Sequence, residues 1–202
     1  MNILFFIYEL TLSREELEFF FHIWGLLPTD ILNFQFKKVL VSMFIHGGFV
    51  HLFGNMLFLY VFGDNVEDAL GKIRYIILYL GSGFGAAFLQ SFVNLFAGSI
   101  DIPMVGASGA ISGILAAYVK LYPNAKIVTI IPPFIFFAFL LPAWFFVGYW
   151  FLIQILFAIT TPANIGGVAW YAHIGGFITG WFLTDILYPK KNPKLVHYSI
   201  LR

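Results

Sequence analysis

The chain has 202 residues, of which 60% are hydrophobic and only 10% are charged, and its mean hydropathy is +0.89. Soluble globular domains average about 45–50% apolar and about 25% charged residues, so a soluble domain of this length is excluded. The net charge of +1 argues against nucleic-acid binding, and the lack of cysteine excludes disulfides, thiolate metal sites and a thiol nucleophile. The sequence therefore predicts an integral membrane protein with one compact domain.

The N-terminal part of the chain holds a short apolar segment and a predicted surface helix. Residues 1–8 are apolar, but eight helical residues reach only about 12 Å, less than half of a bilayer core. We interpret them as the remnant of a first span, shortened by a misassigned start site. Within 9–45, Ser13 and Glu16 have the spacing of a capping box, and Gly25 is placed to end the helix. Its apolar face fits either an amphipathic helix in the membrane interface or a helix packed on its neighbours.

Five complete spans are predicted from the stretches that lack charged residues. A bilayer core of about 30 Å needs about 20 helical residues, so three of these stretches each fit one span. The long stretch 127–184 fits two, with a turn at 161–167 where Pro, Asn and Gly concentrate. The predicted spans are 46–64, 75–96, 104–121, 138–159 and 169–188.

Lysine and arginine residues near the span ends set the predicted orientation, because cytoplasmic loops retain them. Three of these residues fall on one side, and they are Arg14, Lys37 and Lys38. Eight fall on the other side, namely Lys72, Arg74, Lys120, Lys126, Lys190, Lys191, Lys194 and Arg202. This asymmetry predicts a cytoplasmic C-terminus with a solvated polar tail, residues 190–202. The opposite face receives 9–45, 97–103 and 160–168.

Polar side chains at or within the predicted spans are the candidates for function, because a polar group in a bilayer core is energetically expensive. They are His46, His51, Asn55, Gln90, Asn94, Ser108, Ser112, Gln154 and His173. A single serine or glutamine among them most often bonds only to its own helix or to a neighbouring one. The three histidines are the stronger signal.

A serine and a histidine enter two different spans at similar depth. Ser108 lies in a run of small residues, 106–113, which fits close approach by a substrate chain or, equally, a helix-packing face. His173 is followed on the same helix face by Gly176, which favours close approach by the serine-bearing helix. A serine nucleophile with a histidine general base requires this arrangement. No third orienting residue is evident, so the sequence predicts a dyad.

His51 and Asn55 are four residues apart, so they project from one face of their helix. Two such donors beside a serine suit an oxyanion hole; the alternative is a hydrogen-bonded pair that packs two helices. A metal site is not predicted, because there is no His-Glu-x-x-His pair and no carboxylate in the span near these histidines. A transporter or channel with a histidine proton relay would be expected to show an internal repeat or charged residues within the spans, and the sequence has neither.

Three motifs on three spans resemble those of the rhomboids, a family of intramembrane serine proteases. They are the segment from His46 to Asn55, Gly106-Ala107-Ser108-Gly109, and Ala172-His173-Ile174-Gly175-Gly176, in the family's order and spacing. The resemblance implies an all-α, polytopic membrane helix bundle with a six-transmembrane core, here with a shortened first span. It also implies a serine helix sunk into a water-filled cavity that opens to the outside.

The resemblance assigns roles to these residues. Ser108 would be the nucleophile and His173 the general base, while His51, Asn55 and the backbone N–H of Ser108 would form the oxyanion hole. Four further residues would support the site, namely His46, Gly106, Gly109 and Gly176. The implied activity is hydrolysis of peptide bonds in or near transmembrane segments of membrane protein substrates, without a cofactor or a metal. The alternative is a non-catalytic rhomboid-like protein that binds transmembrane clients.

The remaining expectations concern organisation and location. Residues 1–189 would form the protease domain and 190–202 a cytoplasmic tail. The partners would be transmembrane substrates and the lipid bilayer, without nucleic acid, and the oligomeric state is left open. The expected location is a prokaryotic cell membrane, with the active site opening to the non-cytoplasmic side.

Overall fold

A computed structural model describes residues 1–130, 137–162 and 166–188 of the chain. These residues form nine helices and one antiparallel pair of strands. The elements are α1 (Asn2–Glu9), α2 (Arg14–Trp24), α3 (Pro28–Leu32), α4 (Phe36–Ser42), α5 (Phe49–Leu70), α6 (Lys72–Phe96), α7 (Ser108–Leu121), β1 (Lys126–Ile130), β2 (Ala138–Pro142), α8 (Ala143–Thr160) and α9 (Trp170–Leu187). The predicted helical membrane bundle is confirmed, although the sequence did not predict the strands. By length and composition, α6 and α8 can each cross a membrane.

The predicted capping box at the start of α2 is confirmed. The Ser13 hydroxyl accepts a hydrogen bond from the Glu16 N–H at 3.3 Å, and a Glu16 carboxylate oxygen accepts one from the Ser13 N–H at 2.8 Å. Hydrogen bonds to the ionised carboxylate, first from the Ser13 backbone N–H and then from the Ser13 side chain, hold the pKa of Glu16 below its ordinary value. All of α2 is described, and none of its residues is fully buried, so the helix lies at the periphery of the bundle. Its insertion in the membrane interface stays a prediction.

The five predicted spans correspond to α5 to α9, of which only α6 does not begin later than predicted; the largest differences are at α7 and α8, which begin at Ser108 and Ala143. The serine helix α7 begins at Ser108 because the chain before it forms a loop, in which Gly106 has a φ of 121° and donates its N–H to the Ser42 carbonyl at 2.9 Å. The next span begins at Ala143 because the preceding five residues pair with β1. Part of the predicted turn at 161–167, and the tail 190–202, lie outside the described residues.

Helices α6, α7 and α9 form the centre of the bundle, and glycine contacts bring two of them unusually close. A Cβ atom added to Gly176 of α9 would overlap the backbone of Gly109, and one added to Gly180 would overlap the backbone of Gly113. Small residues at a helix interface allow the backbones to approach in this way. The close approach predicted from Gly176 is therefore confirmed, and every residue of α7 from Gly109 to Tyr118 is buried.

The serine helix α7 is short for a membrane-spanning helix. Its 14 residues extend over only about 21 Å, less than the bilayer core of about 30 Å. Its predicted cytoplasmic end is held by the Lys120 ammonium, which donates to an Asp185 carboxylate oxygen at 2.6 Å. Ser108 occupies the other end of this short helix.

Candidate active site

The structure brings Ser108 and His173 into direct contact. Ser108 is the first residue of α7, and His173 lies in the first turn of α9. The Ser108 Oγ and the His173 Nε2 are 2.8 Å apart, which is hydrogen-bonding distance. Gly109 directly follows Ser108 and Gly176 lies about one turn after His173, and the contact between these two glycines fixes the distance between the backbones. The local sequence thus produces the geometry that a nucleophile and its general base require.

A third residue contacts the dyad, which corrects the expectation that none orients the histidine. The Gln154 Oε1 of α8 lies 2.7 Å from the His173 Nδ1, and the glutamine is only 4% exposed. Gln154 is one of the polar span residues noted in the sequence, where a hydrogen bond to its own or a neighbouring helix is the expected role. The sequence does carry one indication of this contact: α8 is strongly apolar, with a mean hydropathy of 1.8. A single amide in such a helix needs a hydrogen-bonding partner on another element.

His51 and Asn55 lie on the same side of the serine as expected from their spacing. A Cβ atom on Gly106 would lie 2.7 Å from the His51 ring and 3.8 Å from the Ser108 Oγ, so the absence of a side chain at this glycine leaves room for the imidazole beside the serine. The Asn55 amide donates one hydrogen to the His51 carbonyl at 2.9 Å. An amide nitrogen carries two hydrogens, so one remains for another acceptor.

The backbone at Ser108 adds a further donor. N–H groups in the first turn of a helix have no carbonyl partner within the helix, and the helix dipole places partial positive charge there. The Ser108 N–H therefore lies where it can stabilise a negative oxygen near the hydroxyl.

His46 lies behind the site and does not border its cavity. Its ring packs edge-on against the ring of His51, with the ring centroids 5.1 Å apart, and it is 1% exposed. Its backbone N–H donates to a carboxylate oxygen of Glu9 at 3.1 Å, a contact that the sequence did not predict. The geometry fits a supporting position for His46, in which it limits the movement of His51.

A cavity of about 880 Å³ lies in front of these groups. It is bordered by the side chains of Ser108, His173, His51 and Asn55, and by the amides of Gln90 and Asn94. The rest of the lining is mostly apolar, and a cavity of this size with polar groups on one wall has room for several water molecules and an extended peptide segment. The other predicted site residues, His46, Gly106, Gly109 and Gly176, lie outside its lining and contribute through packing. Within the described part of the chain no group of three or more metal-ligating side chains is present.

The comparison with known proteins agrees with this geometry. The family model for the Rhomboid domain matches residues 33–190. The chain belongs to the rhomboid family. It is thus an integral membrane protein, as the composition predicts.

Several relatives place this rhomboid within its family. It is 36% identical to RHOMBOID-like protein 4 of Arabidopsis thaliana over 157 residues, 74% of this chain and 34% of that protein. It is 29% identical to the mitochondrial Rhomboid protein 1 of Saccharomyces cerevisiae, over 78% of this chain and 45% of that protein. A Bacillus subtilis rhomboid is 31% identical over 44% of this chain and 42% of its own length. The chain thus spans less than half the length of these relatives.

Proposed function

We propose that this rhomboid is a serine endopeptidase that hydrolyses peptide bonds in or near transmembrane segments of membrane proteins. The observation that carries the proposal is the 2.8 Å contact between the Ser108 Oγ and the His173 Nε2, both of which border the cavity. A hydroxyl becomes nucleophilic when an adjacent base takes its proton. Both groups lie on helices whose backbones are in contact, so the pair is held ready for reaction.

The reaction follows the course of serine peptidases. Ser108 attacks the scissile carbonyl while His173 removes its proton, and His51, Asn55 and the Ser108 N–H stabilise the oxyanion. The imidazolium then donates its proton to the leaving amine, which leaves an acyl-enzyme. A water molecule from the cavity, activated by the same imidazole, hydrolyses the ester and regenerates the serine.

The substrate must present an unwound segment. Every backbone carbonyl in an intact transmembrane helix is hydrogen-bonded, so none is accessible to a nucleophile. Substrates with glycine, proline or polar residues near the cleavage site are therefore expected to be cut fastest. The resemblance to the family also implies small residues just before the scissile bond.

Labelling with a serine-directed fluorophosphonate tests the proposal. Purified protein in detergent is expected to be labelled at Ser108, and the label is expected to disappear in Ser108→Ala and in His173→Ala. Folding of each variant is checked by circular dichroism. Absence of label on folded wild-type protein would favour the alternative, a rhomboid-like protein that binds transmembrane clients without cutting them.

Loss of an oxyanion donor is expected to slow cleavage without weakening substrate binding. His51→Ala and Asn55→Ala should each lower kcat about 10²- to 10³-fold, because these donors act on charge that forms only in the transition state. The measurement is cleavage of a model transmembrane substrate by purified protein. His22→Ala, in exposed helix α2, is the matched control. An unchanged kcat in both oxyanion variants would contradict their assignment.

The location and the partners belong to the same proposal. The predicted topology places the cavity on the non-cytoplasmic side, where water is available, with transmembrane proteins as substrates and the bilayer as environment. The Bacillus subtilis relative agrees with the expected location in a prokaryotic cell membrane, whereas the mitochondrial yeast relative does not. Membrane topology mapping with reporter fusions at the ends of the chain tests the orientation.

A further inference from the structure

We propose that Gln154 is a positioning residue that holds His173 with its hydrogen on Nδ1. The inference rests on the proposed function, because it concerns the base of that reaction. The His173 Nε2 must accept the Ser108 hydroxyl hydrogen, so in a neutral imidazole the hydrogen resides on Nδ1. The Gln154 Oε1, 2.7 Å from Nδ1, is the acceptor for it.

Gln154 can fix the tautomer of His173 only if its side-chain amide cannot rotate by 180°. A reversed amide would present its NH₂ group to Nδ1 and impose the opposite tautomer, in which Nε2 carries the hydrogen. In serine peptidases the wrong tautomer lowers kcat about 10⁴-fold. Here the Gln154 Nε2 donates to the Trp150 carbonyl of the same helix at 3.0 Å. This bond would be lost on reversal, because two carbonyl oxygens would then face each other.

The buried surroundings of His173 favour a neutral amide over a carboxylate as the hydrogen-bonding partner of its Nδ1. Gln154 and His173 are both buried, and the rings of Trp150 and Trp170 lie 5.9 Å and 6.0 Å from the imidazole ring. A carboxylate buried there would lose its hydration at high cost during the part of the cycle when the imidazole is neutral. The amide supplies the same acceptor without that cost.

Three variants separate a positioning role from a structural one. Gln154→Met removes the acceptor and keeps the length of the side chain, and we expect it to slow fluorophosphonate labelling about 10²- to 10⁴-fold. Gln154→Glu keeps the acceptor, so it should label much faster than Gln154→Met, and the acidic limb of its pH–rate profile should move to higher pH because the carboxylate stabilises the imidazolium. Thr184→Val is the matched control, since it also removes a buried bond to the carbonyl four residues earlier but does not touch the dyad.

The outcomes distinguish this inference from the proposed function. If wild type is labelled and Gln154→Met is labelled as fast, or if the Gln154→Glu profile superimposes on that of wild type, the positioning role is wrong and the peptidase stands. If wild type is not labelled, ¹⁵N NMR of histidine-labelled protein still tests the inference. We expect the hydrogen of His173 on Nδ1 in wild type; a hydrogen on Nε2 would overturn the assignment.

A separate observation, on the strands between α7 and α8, points to the lipid at the predicted cytoplasmic side. The register pairs Val128 with Leu140 and Ile130 with Ala138 on the outward face of the strand pair. Val128 and Leu140 are 67% and 64% exposed, whereas Ile127, on the opposite face, is 6% exposed and belongs to the core. An antiparallel sheet with one face in water carries polar side chains on that face. The outward face of this strand pair is apolar instead, so it is not the kind of surface that a sheet exposes to water.

We infer that this outward face inserts into the cytoplasmic side of the bilayer. It continues directly into the first turn of α8, where Trp144 and Phe145 are also exposed. In the part of the chain that the structure describes, the sheet has only these two strands and therefore two open edges, and hydrocarbon does not tolerate unpaired backbone groups at such edges. The strands therefore lie at headgroup level, with their outward side chains reaching the acyl chains. Lys126, exposed at the start of β1, is placed to contact anionic headgroups.

Spin labelling tests the insertion, and the chain needs no cysteine removed because it has none. Nitroxides are placed by Val128→Cys, by Leu57→Cys as the lipid reference in α5, and by Asp68→Cys as the water reference. In phosphatidylcholine–phosphatidylglycerol vesicles we expect the Val128 label to collide with oxygen more than with a nickel chelate, as the lipid reference does. Preference for the chelate would place this face in water. Shielding from both reagents together with spin–spin broadening would mean that a second copy covers it; either result overturns the inference.

Discussion

The Ser108→Ala, His173→Ala double variant is expected to be no less active than either single variant. Each single substitution should lower the rate of cleavage about 10⁴- to 10⁶-fold, because a serine without its base and a base without its serine are equally unable to form the acyl-enzyme. Groups that act as one unit are therefore not additive. The 2.8 Å contact between the two side chains is the physical basis of that coupling.

The measurement is cleavage of a transmembrane substrate in proteoliposomes, followed by mass spectrometry over hours to days. Ser91→Ala, which removes another buried serine hydroxyl from helix α6, is the matched control and should cleave within about tenfold of wild type. Losses that multiply in the double variant would show that the two residues act independently, and the dyad would have to be abandoned.

Gly176→Ala is expected to be the most destabilising single-methyl substitution in the chain. The new Cβ would overlap the backbone of Gly109, and a backbone cannot rotate away as a side chain can. Overpacking against side chains costs about 1–3 kcal/mol, so a loss of more than about 3 kcal/mol is expected at this position. Separation of the two helices would also draw His173 away from Ser108. Labelling by fluorophosphonate should therefore fall together with the thermal unfolding temperature in detergent.

Gly148→Ala is the control for this prediction. It is also a helix-interior glycine, but among the described residues no atom outside the adjoining backbone of its own helix lies within 4 Å of the position its Cβ would take. Alanine there should stabilise the protein by up to about 1 kcal/mol, through the lower entropy of the unfolded chain. Equal effects of the two substitutions would mean that the α7–α9 contact is not as close as the structure has it.

The sequence predicted the helices α5 to α9 because charged residues interrupt the apolar stretches sharply, but it could not place all of the helix ends. Periodicity carries little information in an uninterrupted apolar run, so the residues of β2 were assigned to the following helix. The late start of α7 depends on a hydrogen bond from Gly106 to Ser42, a contact between residues far apart in the chain.

The sequence likewise identified the main residues of the candidate site but not all of the contacts between them. Ser108, His173, His51 and Asn55 could be chosen because polar residues are conspicuous in apolar spans, and their spacing along single helices is regular. Gln154 was equally conspicuous, but its partner lies on another helix 19 residues away, and sequence alone does not show which face of α8 turns toward α9. Glu9 could not be connected with His46 for the same reason, since 37 residues separate them.

The burial of α7 from Gly109 to Tyr118 means that these residues are surrounded by protein and not by lipid. A helix that faces acyl chains must be long and apolar along its whole surface, whereas one enclosed by other helices must only fit the space between them. Tolerance to substitution along residues 109–118 should therefore follow side-chain volume more closely than hydropathy. The position of the nucleophile is then set by its protein neighbours, so it should change little between bilayers of different thickness.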